Sequence, residues 1–459
     1  MAQKVRKVRQ HNTVQMYYNP LFFQTPSVVE NVFYQTDLGR LYRSIPFREM
    51  ASKIPAPLQN KSGRGRKPFL KVEGGIALLI LKHYTCLSDE MLIDRLNTDW
   101  CMQYFCGVQL KARRIKDKNL VSWWRCYIGR HLDIKELQKV VIASWKPYMD
   151  QRHVTMMDAT VYESNIRYPT DAKLIWESIV KVHHITQQKR KLLKLRASRS
   201  NYQKHKNNYL GYQRNRRKSK RKDRKLRKQL LKYLRRLLEG LEELQTSYQF
   251  KLTGKEKKLI NTIETVYGQQ HELVYGSREN VKQRIVSLNK SYVRPIIRGK
   301  EIKAVEFGAK VHKVQVSGLS FIEHLSYENF NEGTRLKQSI AFHQKHFGKC
   351  SQLGADAIYA TNENRRYCTS LEIATSFLAK GKQGKLQEQK SAMRSALSSV
   401  RSTVLEGSFG NEKNHYLLSK IKAKTEATEM AWIFFGMLTA NASIISKKIQ
   451  LHKQLRQTG

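Results

Sequence analysis

The spacing of apolar residues predicts several short helices between residues 70 and 135. Apolar residues fill EGGIALLILKHYTC at 73–86 and recur in SDEMLIDRLN, where Ser88 can serve as the N-cap. A further helix is predicted at 119–132, in NLVSWWRCYIGRHL. Consecutive short helices are typical of a helix-turn-helix and equally of a small helical bundle, so both interpretations stay open.

The pattern changes to strand-like alternation at His153. The stretch HVTMMDATVYESNI predicts two strands around Asp158, and a second strand-rich block covers 304–325. The pattern then predicts a helix at 332–347, a strand at 352–360, another strand near 370–378 and long helices from about 391 to 455.

The segment between the two strand-rich blocks is predicted to be almost entirely helical. Residues 181–240 hold 23 Lys and Arg against Asp223 and Glu239, a net charge of +21. Steps of three and four predict one long helix with an apolar seam of Leu226, Leu230, Tyr233, Leu237, Leu241 and Leu244. This seam can pair two protomers or close a helical hairpin within one chain.

The order of elements predicts an α/β fold that is interrupted by a helical insertion and preceded by an all-helical domain. The boundaries that we predict are a basic and aromatic segment at 1–60, the helical domain at 61–140, the first part of the α/β domain at 150–170, the basic insertion at 171–288, the second part at 289–440 and a basic helix end at 441–459. The Gly-, Arg- and Pro-rich stretch Lys61–Phe69 is predicted to be a linker.

Charge narrows the class of partner. The chain has 459 residues, with 85 Lys and Arg against 37 Asp and Glu, so its formal net charge is +48. Such a surplus indicates a polyanionic partner, with nucleic acid as the first candidate and an anionic membrane as the second. A membrane span is not expected, because Thr439, Asn441 and Ser443 interrupt the most apolar stretch at 430–445.

Several other functional classes find no support in the sequence. The six cysteines form no CxxC pair, so buried free thiols in a reducing cytoplasm are expected rather than a zinc site. The basic start MAQKVRKVRQHN is not followed by an apolar region, so secretion is not expected. No GxxxxGK[ST], GxGxxG or GxSxG motif supports ATP-driven or acyl-transfer chemistry.

Three carboxylates stand out because they lie in apolar surroundings, where an ionised group is costly without a partner or a metal. Asp158 ends the apolar run VTMMD, Asp356 lies in GADAIYA within a predicted buried strand, and Glu406 follows an apolar flank. Phosphodiester chemistry commonly uses two Mg²⁺ ions held by converging carboxylates. Structural alternatives stay open: Asp158 can cap a turn, and Glu406 can be solvated. Asp356 can pair with Arg365 or Arg366.

Basic residues near these positions are candidate phosphate contacts. Arg365 and Arg366 are placed to meet a phosphate backbone, and Lys413 follows Glu406 by two helical turns on the same face. In the insertion, the candidate phosphate contacts are Arg216, Arg217, Lys218, Lys220 and Arg221. The tyrosines Tyr202, Tyr209 and Tyr212 can stack on bases or pack within the insertion. Glu163 is a candidate fourth carboxylate.

Four segments resemble bacterial insertion-sequence transposases of the DDE kind, in the insertion-sequence-five superfamily. They are DATVYESNIRYPTDAKLIWES at 158–178, RIVSLNKSYVRPIIRGKEIKAVEFGAKV at 284–311, GADAIYATNENRRYC at 354–368 and LEGSFGNEKNHYLL at 405–418. The front segment at 63–96 resembles the helical N-terminal domain that those transposases carry. These similarities follow the order of the family and extend over most of the chain.

The resemblance implies a ribonuclease-H-like catalytic domain. Asp158, Asp356 and Glu406 would be the catalytic acids, with Mg²⁺ held between them and Mn²⁺ able to replace it. Lys413 would contact DNA near the cut, and the helical domain at 61–140 would bind DNA.

The chain departs from the wider family pattern upstream of Glu406. The related insertion-sequence-four enzymes carry Tyr and Arg seven and four residues before the Glu. Those positions are Ser399 and Ser402 here, and Arg401 lies one place off. The helices at 181–250 are also longer and more basic than the family pattern, so the resemblance implies no role for them.

We therefore expect a transposase that binds the ends of an insertion sequence, cleaves DNA and joins the freed 3′-OH to target DNA. The expected partners are double-stranded DNA and, once assembled on DNA, a second copy of the chain. The expected location is the bacterial cytoplasm, at the nucleoid. The alternatives are a metal-dependent nuclease without strand transfer, an inactive DNA-binding descendant and, more remotely, an RNA-binding protein.

Overall fold

The computed structural model describes residues 26–57, 69–108, 114–198, 200–276, 281–297, 304–380 and 387–458. Residues 1–25 and 58–60 of the predicted basic and aromatic N-terminal segment, and nearly all of the predicted linker, lie outside these residues. The chain forms two compact units. The first comprises 1–163, 310–325 and 330–459, and the second comprises 164–309 and 326–329. These divisions differ from the predicted domain boundaries, because the front helices and the sheet share one unit.

Short helices form the front of the first unit, as the apolar spacing predicts. They are α1 (Pro26–Gln35), α2 (Asp37–Arg43), α3 (Phe47–Ala51), α4 (Val72–Thr85), α5 (Asp89–Thr98), α6 (Trp100–Phe105), α7 (Leu120–Arg130) and α8 (Ile134–Trp145). Ser88 is the N-cap of α5, and its hydroxyl accepts a hydrogen bond from the Met91 amide at 3.1 Å. The predicted helices at 73–86 and 119–132 correspond to α4 and α7.

The front helices form a bundle that continues into the core of the first unit. Helix α17 (Glu426–Thr458) packs against α4 and α7. The approach of α4 to α7 is close, since a Cβ at Gly75 would lie 2.2 Å from a ring carbon of Trp124. By length and composition α17 could cross a membrane, but most of its apolar window is buried in the fold, as in the core helix of a soluble protein. A helix-turn-helix within the bundle remains a prediction.

A mixed sheet lies beside this bundle in the first unit. Its strands are β1 (Val154–Ser164), β3 (Val305–Val316), β4 (Leu319–Ser326), β5 (Gln352–Ala355), β6 (Ala374–Thr375) and β7 (Lys420–Ile421). The order is β4-β3-β1-β5-β6, with β7 also paired to β1. Strand β1 runs parallel to β5, and β5 runs parallel to β6. Ser317 and Gly318 join β3 to β4 with φ of 54° and 79°, as a two-residue hairpin turn requires.

Three strand predictions are wrong in detail. The two strands expected around Asp158 are one continuous strand, because the β-favouring residues on both sides carry the chain straight through the aspartate. The strand expected at 352–360 ends at Ala355, since the Asp356 side chain caps a 3₁₀ turn at Ala357–Tyr359. The strand expected near 370–378 is only the short β6.

Helices cover both faces of the central strands. A 3₁₀ turn at Glu332–Arg335 leads into α13 (Leu336–Phe347), which is followed by α14 (Asn362–Ser370), α15 (Gln387–Val400), a π-helical turn at Arg401–Leu405 and α16 (Glu406–His415). Met157 packs with Leu336 and Ile340 on one face of β1. Met156, on the other face, packs with Leu397 and Leu405. The predicted helix at 332–347 is confirmed.

The second unit is mainly helical. It contains α9 (Asp171–Leu192), α10 (Tyr202–Arg214), α11 (Lys220–Tyr248), α12 (Gly254–Tyr275) and the short strand β2 (Pro295–Ile297), which pairs antiparallel with the start of β3. Helix α12 begins with a capping box between Thr253 and Glu256.

The apolar seam of α11 is buried within the second unit. Leu226, Leu230 and Leu241 pack in one core with residues of α9 and α12. Of the two alternatives for the seam, packing within one chain is the one that the structure shows. The tyrosines pack rather than face solvent, since Tyr209 stacks on Trp176 at 5.1 Å between ring centroids. Tyr212 donates a hydrogen bond to Asp223 at 2.6 Å.

Leu230→Ala is expected to lower the free energy of unfolding by about 2–5 kcal/mol, because it leaves a cavity in this core. Leu230 is fully buried, whereas Leu210 on α10 is exposed and serves as the matched control. Denaturant unfolding measures both variants. An equal, small effect of the two substitutions would contradict the packing of the seam.

Candidate active site

The register of two parallel strands places Asp158 and Asp356 side by side in the sheet. The last paired residues of β1 and β5 are Met157 and Ala355, and an aspartate follows each of them directly. Asp158 is largely buried, with 16% of its side chain exposed. Asp356 is exposed, and its carboxylate accepts a hydrogen bond from the Ala357 amide at 2.7 Å. The two carboxylates are therefore neighbours, with Asp158 inside the continuous strand β1 and Asp356 directly after the end of β5. Asp356 does not lie in a buried strand as predicted.

Glu406 approaches Asp158 from the helices that cover the sheet. It is the first residue of α16, directly after the π turn, and half of its side chain is exposed. The guanidinium of Arg401 lies 3.1 Å from Glu406 Oε1 and 3.3 Å from Asp158 Oδ2. Arg401 thus forms an ion pair with both carboxylates and joins segments that are far apart in the chain.

The electrostatics of Asp158 reflect a crowded acidic site. The pKa of Asp158 is raised to about 6, chiefly by burial and also by the negative charges of Glu332 and Asp356. The Ala159 amide and Arg401 act in the opposite direction. A carboxylic acid whose pKa lies this close to neutral pH, among other negative charges, is typical of a functional site.

Glu332 is an acidic residue of this site that the sequence analysis missed. It forms an ion pair with Lys310 at 2.8 Å and lies in the turn before α13. Asn364 fixes that turn, because its side-chain amide donates to the carbonyl of Gly333 at 2.8 Å and to that of Tyr359 at 2.9 Å. The close packing leaves no room for a side chain at Gly333, where a Cβ would lie 2.6 Å from the Ile358 carbonyl oxygen. A single acid in a polar turn carries no sequence signal that separates it from a solvated one.

A buried charge pair holds α16 against the sheet. Lys313 of β3 is completely buried and lies 2.7 Å from Glu412, which also accepts a hydrogen bond from the Tyr162 hydroxyl. Burial lowers the pKa of Lys313, and the negative charges of Glu412 and Asp158 act against that shift.

Lys413, the next residue along α16, lies on the side of Asp158. Its ammonium donates a hydrogen bond to Thr160 at 3.0 Å, and Thr160 shares a face of β1 with Asp158 by strand alternation. By the same alternation Glu163 lies on the opposite face, so the geometry does not bring it to the site as a fourth carboxylate.

The arginines after Asp356 differ from each other. Arg365 donates hydrogen bonds to the carbonyls of Ala360 at 3.0 Å and Leu378 at 2.7 Å, so it holds a loop in place. Arg366 is exposed on α14. Neither arginine forms an ion pair with Asp356 among those found in the described residues.

The candidate phosphate contacts of the insertion lie together in the second unit. Arg216, Arg217, Lys218, Lys220 and Arg221 are all exposed around the turn between α10 and α11. Four of them stand at or near the N-terminus of α11, where the helix dipole disfavours positive charge. Their position therefore does not serve helix stability.

The donor chemistry of the site suits a hard divalent cation. Asp158, Asp356 and Glu406 offer carboxylate oxygens, which Mg²⁺ and Mn²⁺ prefer. In the described part of the chain, however, no three His, Cys, Asp or Glu side chains come close enough to hold an ion together. The guanidinium of Arg401 lies between Asp158 and Glu406 and pairs with both. The cysteines in the described residues are free thiols.

Comparison with protein families assigns the class. Residues 353–442 match the family model described as a transposase DDE domain, and residues 30–126 match a model described as a transposase domain. Both models are typical of bacterial insertion-sequence transposases, so the resemblance found in the sequence is confirmed. No curated protein and no solved structure matches the chain.

The two matched regions coincide with distinct parts of the first unit. The DDE match contains Asp356 and Glu406, and the other match covers most of the front helices. Asp158 lies outside both, and the strand register is what connects it with Asp356. A DDE domain implies a ribonuclease-H-like fold and supports a transposase role; such transposases generally use a divalent metal and act on DNA.

Proposed function

We propose that this protein is the transposase of a bacterial insertion sequence, with Asp158, Asp356 and Glu406 as its catalytic acids. The observation that carries this proposal is the placement of Asp158 and Asp356 at adjacent positions of two parallel strands, with Glu406 joined to Asp158 through Arg401. The first unit would be a ribonuclease-H-like domain that the helical second unit interrupts.

The three carboxylates would hold Mg²⁺, or Mn²⁺ in its place. When bound, the metal supplies activation of water or of a 3′-OH and stabilises the leaving oxygen. The chain's own contribution is to orient its acids: β1 and β5 position the aspartates, and the Lys313–Glu412 pair holds α16 and its Glu406 against the sheet. Lys413, beside Thr160, is available on the same side for a DNA phosphate.

The test uses the DNA that flanks the gene, placed on a supercoiled plasmid and incubated with purified protein and Mg²⁺. Cleavage at the ends of the flanks, together with joined products that EDTA abolishes, would support the proposal. Cleavage without joining would favour a metal-dependent nuclease. Binding without cleavage would favour an inactive descendant, and binding of RNA alone would overturn the DNA assignment.

The second unit would grip DNA phosphates without sequence preference. Its exposed basic residues at 216–221 form a patch that lowers helix stability and is explained by an anionic partner. Arg366 on α14 would add a phosphate contact, whereas Arg365 is engaged with backbone carbonyls. The front helices would bind the element ends, two copies of the chain would assemble on DNA, and the protein would act in the cytoplasm at the nucleoid.

Replacing the five basic residues of this patch with alanine is expected to weaken DNA binding equally for all sequences. The slope of log affinity against log salt should fall by up to about 4, since each phosphate contact contributes about 0.9. Fluorescence anisotropy over a salt series measures the slope. The control replaces Lys345 and Lys349, which are exposed in the first unit. Equal slopes for the patch variant and the wild type would remove the patch from the DNA interface.

A further inference from the structure

Arg401 lies between two of the proposed catalytic acids, where its positive charge has no role in holding a metal. It is the one cation among the ion pairs of the described residues that joins Asp158 to Glu406. The lysines nearby have other main partners: Lys313 lies against Glu412, Lys310 against Glu332, and Lys413 against Thr160. The charge between the first and third acids therefore comes from Arg401.

The backbone at Arg401 is built to make this contact. In a regular α-helix, residues five apart point about 140° away from each other around the axis. Here the Glu406 amide donates to the Arg401 carbonyl, which closes an i to i+5 turn and brings both side chains to the same face. Such π turns occur frequently at functional sites.

We infer that Arg401 is an internal counter-ion, which holds Asp158 and Glu406 together in the metal-free protein and must withdraw before a divalent cation can bind between them. The inference rests on the proposed metal-dependent function and adds to it a residue that sets metal affinity. A guanidinium and a divalent cation cannot share the oxygens that face each other across this gap. Metal binding therefore competes with two ion pairs.

The experiment measures Mn²⁺ binding to the full chain without DNA, by electron paramagnetic resonance of free Mn²⁺ and by calorimetry. Arg401→Met removes the charge and retains an unbranched side chain. Arg401→Lys retains the charge but lacks the planar guanidinium that contacts both carboxylates. The matched control is Arg152→Met, at an exposed arginine of the same unit. We expect Arg401→Met to tighten Mn²⁺ binding about tenfold, which corresponds to two partly exposed ion pairs. Arg401→Lys should give a smaller gain, and Arg152→Met none.

A second readout follows the metal-free fold itself. Without metal, Arg401→Met should melt at a lower temperature than the wild type, because the acids lose their counter-ion, and saturating Mn²⁺ should restore more stability to it. Equal or weaker Mn²⁺ binding by a folded Arg401→Met protein would overturn the inference and leave the proposed function standing. If neither the wild type nor any variant binds Mn²⁺, the proposed metal-dependent function fails as well. If Arg401→Met does not fold, Mn²⁺ binding by Arg401→Lys no tighter than that of the wild type would overturn the inference.

Discussion

Asp158→Asn is expected to abolish DNA cleavage, leave DNA binding unchanged and stabilise the metal-free protein at neutral pH. The loss of activity should be on the order of a thousandfold or more, because a metal ligand supports several kcal/mol of transition-state stabilisation. Binding should persist because the proposed phosphate contacts are other residues. The combined result separates catalysis from DNA recognition.

The gain in stability follows from the raised pKa of Asp158. Since the folded pKa of about 6 lies above the ordinary value of 3.8, the fold disfavours the ionised carboxylate. The penalty is absent below about pH 4, grows as the pH rises, and is complete above about pH 6, where it amounts to about 3 kcal/mol. Asparagine removes it, although it also gives up the ion pair with Arg401.

Chemical unfolding of the wild type and of Asp158→Asn at pH 4.5 and 7.5, with EDTA present, measures this effect. The variant should gain stability at pH 7.5 relative to the wild type, and much less at pH 4.5. Glu406→Gln is the matched control, since its side chain is half-exposed and should lose activity without the gain in stability. A variant that still cleaves DNA would remove Asp158 from the catalytic acids.

Lys313→Met is expected to lower the free energy of unfolding by about 3–5 kcal/mol. Lys313 is fully buried and Glu412 is 2% exposed, so removal of the lysine leaves a buried carboxylate without its cation. Tyr162 still donates a hydrogen bond to Glu412 but brings no positive charge. Helix α16 should loosen from the sheet, and activity should fall because Glu406 begins that helix.

Denaturant unfolding of Lys313→Met, Glu412→Leu and the double variant completes a mutant cycle. The double variant should be more stable than Lys313→Met, because it buries no unpaired charge. Lys349→Met is the control: its ion pair with Glu372 is exposed, so its loss should cost about 1 kcal/mol or less. Additive effects of the two core substitutions would show that Lys313 and Glu412 are not coupled.

Several elements of both units could be predicted from the sequence. The N-cap of α5, the helix before β5 and the apolar seam of α11 follow from local patterns that the structure reproduces. Asp158, Asp356 and Glu406 could be selected because each ends or follows an apolar run. The strand predicted at 352–360 extends five residues beyond the observed strand. In sequence, an aspartate that caps a turn cannot be told from one that lies within a strand.

Other features depend on contacts that no local pattern encodes. Lys313 and Glu412 are 99 residues apart in the chain, and each alone looks like an ordinary surface charge. Glu332 belongs to the site only because Asn364 binds its turn to the segment after Asp356. The packing of α4 and α7 on α17 is another such contact, because it joins residues from opposite ends of the sequence.

The π turn before α16 also bears on how related enzymes are compared. A helix can take up one additional residue between two side chains without separating them in space, provided that a wider turn absorbs it. An alignment that counts residues would treat Arg401 as displaced by one position from the arginine of the insertion-sequence-four enzymes. In this chain the wider turn returns Arg401 to the face of Glu406, so the proximity of two side chains along a helix depends on helical phase as well as on sequence distance.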